Sequence, residues 1–406
     1  NTALGYEAFY TNTVGTDSTA IGYRALYSQG FYGLNNTAVG SRALYYLTDG
    51  TENTAVGYYA GYYITGNRNT AVGGHALTYS SGSYNVAIGY YSQGSGTDQR
   101  SVSIGYYSLQ NNNGADNVII GYYAGYYADS VSEAVLIGRD AGYYLYNGVG
   151  TVAIGNQALS NNYYGQQNTM VGYQTASTRQ VGHSTALGYQ ALKNAGGNYH
   201  TAVGFQASFS VGAQTEETVA VGSYALYSNT IGQSIAIGAN AMYANTSGSA
   251  NTAVGYNALV TNTTSGFNTA IGYKTLETSN ADYNTAVGYY ALNNSTSGQR
   301  NTALGATAGI LNSTGTDNTS IGYYSAGAVD TGSQNTIIGA SAAKSGTNDL
   351  STGSNNIIIG YTAAASSSSV SNEITLGNSS VNRFRIPGLG VDTNKNWELM
   401  TIMGAY

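Results

Sequence analysis

The chain has 406 residues, of which only 8% are charged, with a net charge of -6 and no cysteine. So little charge, and that of negative sign, argues against nucleic-acid binding, which needs basic patches. The missing cysteines exclude a disulfide framework and thiolate metal sites, and the lack of any run of 18 apolar residues excludes a helical membrane span.

Read from the first residue, one short phrase keeps returning. Asn36-Thr37-Ala38-Val39-Gly40, Asn53-Thr54-Ala55-Val56-Gly57 and Asn251-Thr252-Ala253-Val254-Gly255 are three copies of it. Its glycine recurs in 23 copies from Gly5 to Gly377, almost always 16 to 18 residues apart. That period is too short for a helical pair or a propeller blade. It fits one coil of a β-solenoid, so the expected fold is all-β, a left-handed parallel β-roll of about 23 coils. Stacked coils advance about 4.8 Å each. The 22 steps thus imply a rod on the order of 105 Å, to be checked by small-angle scattering. The chain begins inside a repeat, which reads as a piece of something longer or processed.

Positions within a coil are numbered from the anchor glycine. Position -1 is always Val, Ile or Leu, and -3 is Thr in 14 copies and Val or Ile in the other nine. Both lie on one face of a strand, while -2, which is Ala in 15 copies, lies on the other. Position +3 is always Ala, Ser or Thr, and +4 is often Leu, as at Leu26, Leu44, Leu159 and Leu259. Both faces are therefore apolar or small. One face can fill the narrow interior, where the small residues at -2 and +3 help opposing segments approach, and the other must bury against something else. A second and third copy of the chain, in a homotrimer, meet that need. The anchors (Gly22, Gly40, Gly57, Gly155, Gly188, Gly255, Gly288 and Gly322 among them) are expected to supply positive φ or close backbone approach. The Asn at -4 (Asn36, Asn53, Asn69, Asn168, Asn251, Asn268, Asn284, Asn301) is expected to form a hydrogen-bonded ladder.

Length varies between +4 and the next Asn. Segments such as Asn262-Thr263-Thr264-Ser265-Gly266 and Asn294-Ser295-Thr296-Ser297-Gly298 read as turns on an exposed edge. The Asn-x-Ser/Thr sequons at Asn245, Asn262, Asn312 and Asn318 fall in these segments, as chance would place them in such a composition. The repeat region is read as residues 1–380, with an irregular insertion at 343–356 and a serine run from Ser366 to Ser369. Residues 381–406, which hold Pro387 and Trp397, read as a cap, neck or junction.

Two families carry this pattern. Thr151-Val152-Ala153-Ile154-Gly155 and Ser234-Ile235-Ala236-Ile237-Gly238 resemble the repeats in the left-handed β-roll heads of trimeric autotransporter adhesins, whose coils are shorter. The Asn-Thr-Ala-Val-Gly-Tyr units also resemble phage tail-fibre-like proteins, whose repeats end in an Asn-Glu-Ile-Thr-Leu-Gly-Asn sequence ahead of a self-cleaving chaperone. Asn372 to Asn378 matches that ending, and Phe384-Arg385-Ile386-Pro387-Gly388 follows as that family suggests. The resemblance implies a trimeric, non-enzymatic fibre or adhesive head used for cell attachment. A virion tail fibre is the first reading, a bacterial surface adhesin head the alternative. Either would be at a virion surface, or extracellular at a cell surface, with a host glycan or protein as receptor.

Catalytic, cofactor and metal sites are not expected. His75, His183 and His200 are scattered and read as surface residues, and Glu216-Glu217 as a solvated turn pair. The glycine- and aspartate-rich calcium repeat of secreted β-rolls is missing. A polysaccharide-degrading spike would need a carboxylate pair in a groove, for which no candidate stands out. An ice-binding Thr array is disfavoured because the -3 column interchanges with Val and Ile, which suits buried packing.

Tyrosine is the unusual residue, with 41 against six Phe. At +1 it fills 13 of the 23 copies, which suggests a stacked column. Position +2 carries Arg24, Arg42, Gln157, Gln190 and Lys274 and should face water, so Gln190→Asp is expected to be nearly neutral. Tyr59, Tyr91, Tyr107, Tyr123, Tyr224, Tyr290 and Tyr324 also sit at +2. They are the candidate surface-contact aromatics, because Tyr offers an apolar face and a polar tip.

Overall fold

The computed structural model describes residues 1–11, 15–30, 33–210, 212, 216–344, 346, 348–381, 383–386 and 391–394. Pro387 and Trp397 lie outside them. The chain forms two compact units, Asn1–Ala239 and Asn240–Tyr406. Each is an all-β parallel solenoid, and among the described residues there is no helix, hence none long and apolar enough to cross a membrane.

In the first unit, fifteen three-residue strands stack in parallel through fourteen turns, from Thr2–Leu4 to Ile235–Ile237. The second unit stacks eight through seven turns, from Thr252–Val254 to Ile374–Leu376. Every pairing is in register: Thr37 lies opposite Thr54, Ala38 opposite Ala55, Val39 opposite Val56. The repeat thus places each residue type in its own column. Between the anchors, the first unit adds a second parallel ladder of two-residue strands, from Ser28–Gln29 to Asn111–Asn112.

The Ala column at -2 faces inward: Ala20, Ala38, Ala55, Ala153 and Ala253 are fully buried, as are Ala25 and Ala43 at +3 and Leu26, Leu44 and Leu159 at +4. The interior is so narrow that volumes compensate across it. Where -2 is enlarged to Ile119, Leu136, Met170 or Ile337, position +4 shrinks to Gly125, Gly142, Ala176 or Ala343. A Cβ on Gly142 would lie 2.7 Å from Cδ1 of Leu136, so the two positions share one space.

The structure decides which face of the strand turns inward. The -3 and -1 side chains do not fill the interior. They point outward and are half-buried or exposed, as at Ile88, Leu187, Ile271 and Leu304. With alanines and leucines already touching inside, a second set of β-branched side chains has no room there.

Three positions per coil adopt left-handed backbone, in most coils without glycine. They are -5, +2 and +4, for example Asn35, Arg42 and Leu44, with φ of 56°, 58° and 48°. Each costs about 1 kcal/mol or more, so a coil is stable only when its neighbours supply hydrogen bonds and packing. The anchor glycine has the backbone role expected of it. Gly57 has φ of 139°, and a Cβ there would lie 2.6 Å from the carbonyl oxygen of Gly73 in the next coil.

The -4 Asn residues are buried and form the expected ladder through the backbone of the next coil, joined amide to amide at Asn318, Asn335 and Asn356. Asn36 Oδ1 accepts from the Asn53 backbone N–H at 2.9 Å, while its Nδ2 donates to Gly50 O at 2.9 Å. Asn53, Asn69 and Asn85 repeat this. His200 occupies the same column and is buried, not a surface residue. Its Nδ1 lies 2.8 Å from Thr218 Oγ1 and its Nε2 3.1 Å from Gly196 O, and burial pulls its pKa down. The sequon residues Asn245, Asn262, Asn312 and Asn318 are likewise buried rather than on an exposed edge, which closes them to glycosylation in the folded chain.

In the second unit, Lys344 pairs with Asp349 at the start of the 343–356 insertion, and strands resume at Ile357–Ile359. Beyond the last repeat strand, Arg383–Ile386 and Val391–Asn394 pair antiparallel.

Candidate functional site

Perfect register turns a recurring tyrosine into a pile of rings. At +1, Tyr90, Tyr106 and Tyr122 stack with centroids 5.6 and 5.4 Å apart and planes within 16°. Tyr173, Tyr189 and Phe205 form another such pile, as do Tyr256, Tyr273 and Tyr289 in the second unit. These rings are exposed. At +2, Tyr59, His75, Tyr91, Tyr107 and Tyr123 form one continuous stack across five coils, with centroids 4.5 to 5.5 Å apart. The two columns meet edge to face, as at Tyr122 and Tyr123, 4.5 Å apart at 82°.

All seven tyrosines singled out at +2 are half-buried in the single chain. Tyr59, Tyr91, Tyr107 and Tyr123 share the long stack. Tyr224 packs edge-on against Phe205, Tyr290 against Tyr289, and Tyr324 lies tilted beside Tyr323. More of the open surface belongs to their +1 neighbours. The +5 column adds Tyr10, Tyr27, Tyr45 and Tyr62, stacked at 4.8 to 5.2 Å, and later Tyr126 and Tyr143 at 5.5 Å. Those residues could have been found by extending the position count past +4.

Position +2 also builds a polar ladder. Gln206 Nε2 donates to Gln190 Oε1 at 2.7 Å, Gln190 Nε2 to Gln174 Oε1 at 2.9 Å, and Gln174 Nε2 to Gln157 Oε1 at 2.7 Å. Gln190 is 8% exposed, so its position does not face water as expected. Long side chains in one column lie flat against each other, and each amide finds the next.

Burial, with neighbouring phenols adding to it, raises the pKa of Tyr91, Tyr107 and Tyr123, and pushes Tyr143 up to about 12. At neutral pH these phenols are protonated donors. Asp98 is buried inside the first unit, with Ser101 Oγ 3.0 Å and Asn112 Nδ2 3.1 Å from Oδ1 and Gln93 Nε2 3.2 Å from Oδ2. Burial outweighs these hydrogen bonds and raises its pKa to about 7. Among the described residues, no group of three or more His, Asp or Glu is placed to hold a metal ion. Glu216 and Glu217 are exposed, as is His183, which stacks on Tyr199.

The +1 and +2 ring columns end together at the coil of Gly138, where Arg139 and Asp140 follow Tyr122 and Tyr123. An open groove of about 490 Å³ lies there, lined by Tyr122, Tyr123, Arg139, Asp140, Tyr143 and Gln157 among others. Compared with protein-family models, curated proteins and solved structures, the chain matches none.

Proposed function

We propose that this chain is a non-enzymatic structural fibre, a homotrimeric β-roll shaft or head that mediates attachment to a cell surface, as a phage or virus tail fibre does. The observation that carries this reading is the outward apolar face. In both units the -1 column of Val, Ile and Leu points away from the interior, and Leu187, Ile271 and Leu304 are 50%, 39% and 49% exposed. Even about 20 Å² of such surface per coil, repeated over fifteen coils, reaches the few hundred Å² at which an apolar patch marks an interaction site.

A cyclic assembly covers this face in every copy and keeps the contact from propagating. The number three rests on the resemblance to trimeric fibres and adhesins. The shape of the chemistry agrees with a scaffold: charged groups are sparse, and the buried polar atoms serve to join coils. Analytical ultracentrifugation of the intact chain tests the assembly, and adhesion of labelled protein to candidate host cells tests the role. A stable soluble monomer would defeat the first, and a trimer that adheres to no host cell the second.

A further inference from the structure

Inside a ring column each tyrosine face is covered by the next ring, so only edges and hydroxyls reach solvent. A ring face lacks a stacked ring neighbour only where a column stops. At the Gly138 coil two columns stop side by side. Tyr122 is stacked on Tyr106 at 5.4 Å on one face, and what lies over the other is the Arg139 guanidinium, 6.0 Å from the ring centroid on a side chain 64% exposed. Tyr123 is stacked on Tyr107 on one face, with Tyr126 edge-on at 4.9 Å and Tyr143 at 6.0 Å. The groove so formed is within the size range of ligand pockets.

Its polar groups converge on the same space. Arg139 Nε pairs with Asp140 Oδ2 at 3.3 Å. The glutamine ladder ends at Gln157, whose Oε1 is used by Gln174 and whose Nε2 is the terminal donor. Each amide in that chain polarises the next. Tyr143 is held protonated by burial.

We infer that this groove is a binding site for a neutral oligosaccharide, with the face of Tyr122 turned away from Tyr106 as the platform for a pyranose ring, which takes the place of the exposed Arg139 guanidinium over it, and with Asp140, Arg139 and Gln157 as partners for its hydroxyls. A pyranose presents one apolar C–H face, which suits an aromatic ring. Its adjacent hydroxyls suit planar side chains that donate or accept in pairs. The ion pair makes the site neutral overall, and an acidic sugar would have to break it. This assignment rests on the attachment reading and names the ligand class that would serve it.

The test is saturation-transfer NMR on the intact chain with four neutral hexasaccharides as probes: α1,4-glucose, β1,4-glucose, β1,4-N-acetylglucosamine and α1,6-mannose. A hyaluronan fragment is the acidic comparison. At least one neutral probe should bind, and Tyr122→Ala and Asp140→Asn should each weaken it about tenfold. Tyr122→Phe should retain binding, and Tyr290→Ala, in the second unit, should leave it unchanged. Asp140→Asn is nearly isosteric and keeps the test sound if Tyr122→Ala fails to fold. The assignment is overturned if no neutral probe binds, if only hyaluronan binds, or if neither variant weakens binding. Cell adhesion without saccharide binding removes this site and leaves the attachment reading; saccharide binding without adhesion does the reverse.

Discussion

A buried column makes each residue answer to the coils on either side. Gln190 sits between Gln174 and Gln206. Gln190→Asp is one carbon too short for both contacts, and its carboxylate has no N–H to return to Gln174 Oε1. A loss on the order of 2 kcal/mol is expected, read as a lower melting temperature, with Gln190→Glu, which keeps the length and can still accept from Gln206 Nε2, less affected. Asp98 offers a pH test. Burial raises its folded pKa to about 7, above the unfolded carboxylate value of about 4. The folded state therefore holds a proton that the unfolded chain has released. Stability from this group is full below about pH 4 and is lost as pH rises through 7. Asp98→Asn should flatten that slope and raise the melting temperature at pH 8 relative to the parent chain. His200 runs the other way. Burial lowers its pKa, so stability is lost as pH falls through the lowered value. His200→Asn restores the residue that recurs in this column and should remove that part of the acid lability. Equal acid sensitivity in parent and variant would show that the ring is not held neutral.

At the scale of one coil, the element is a strand of three residues braced by left-handed corners, and its interior admits a fixed volume. Leu136 faces Gly142 across that space, where many coils place Ala opposite Leu. Leu136→Ala should leave a void costing about 2 to 5 kcal/mol. Gly142→Leu should clash with Leu136, although leucine accepts the same left-handed backbone at Leu26 and Leu44. The double variant rebuilds the common pair. It should recover much of what either change loses, a coupling of roughly 1 to 3 kcal/mol. Because stacked repeats can open locally, hydrogen exchange in coils 121 to 155 is the direct readout. Additive losses in the double variant would show that the two side chains do not share one cavity.

For the whole molecule, the outward apolar columns set the decisive experiment. Ile271 is 39% exposed in the single chain. If the chain works alone, Ile271→Asp puts a charge where water already reaches, and stability should change by less than about 0.5 kcal/mol. Once that face is buried between copies, the same change strands an unpaired charge at an interface and should dissociate it. Sedimentation of Ile271→Asp beside the parent chain therefore distinguishes the two. The proposed trimer is sunk if both sediment as the same monomer.

Much of this was legible in the sequence because a parallel in-register stack maps sequence position directly onto a column. The anchor glycines, the inward alanines, the asparagine ladder and the stacked +1 tyrosines follow from local spacing alone. What needed the tertiary structure was depth. Gln190 and His200 look like surface residues in sequence, because Gln and His are usually exposed. The stack buries them by laying the next coil's side chain over each. The outward turn of the -3 and -1 columns was open in the sequence, since β-branched residues suit either face of a strand. The narrow interior, already filled by alanine and leucine, decided it. The Gly138 groove also exists only in three dimensions, where two ring columns end in adjacent residues and Arg139, Tyr126 and Tyr143 replace the next stacked rings.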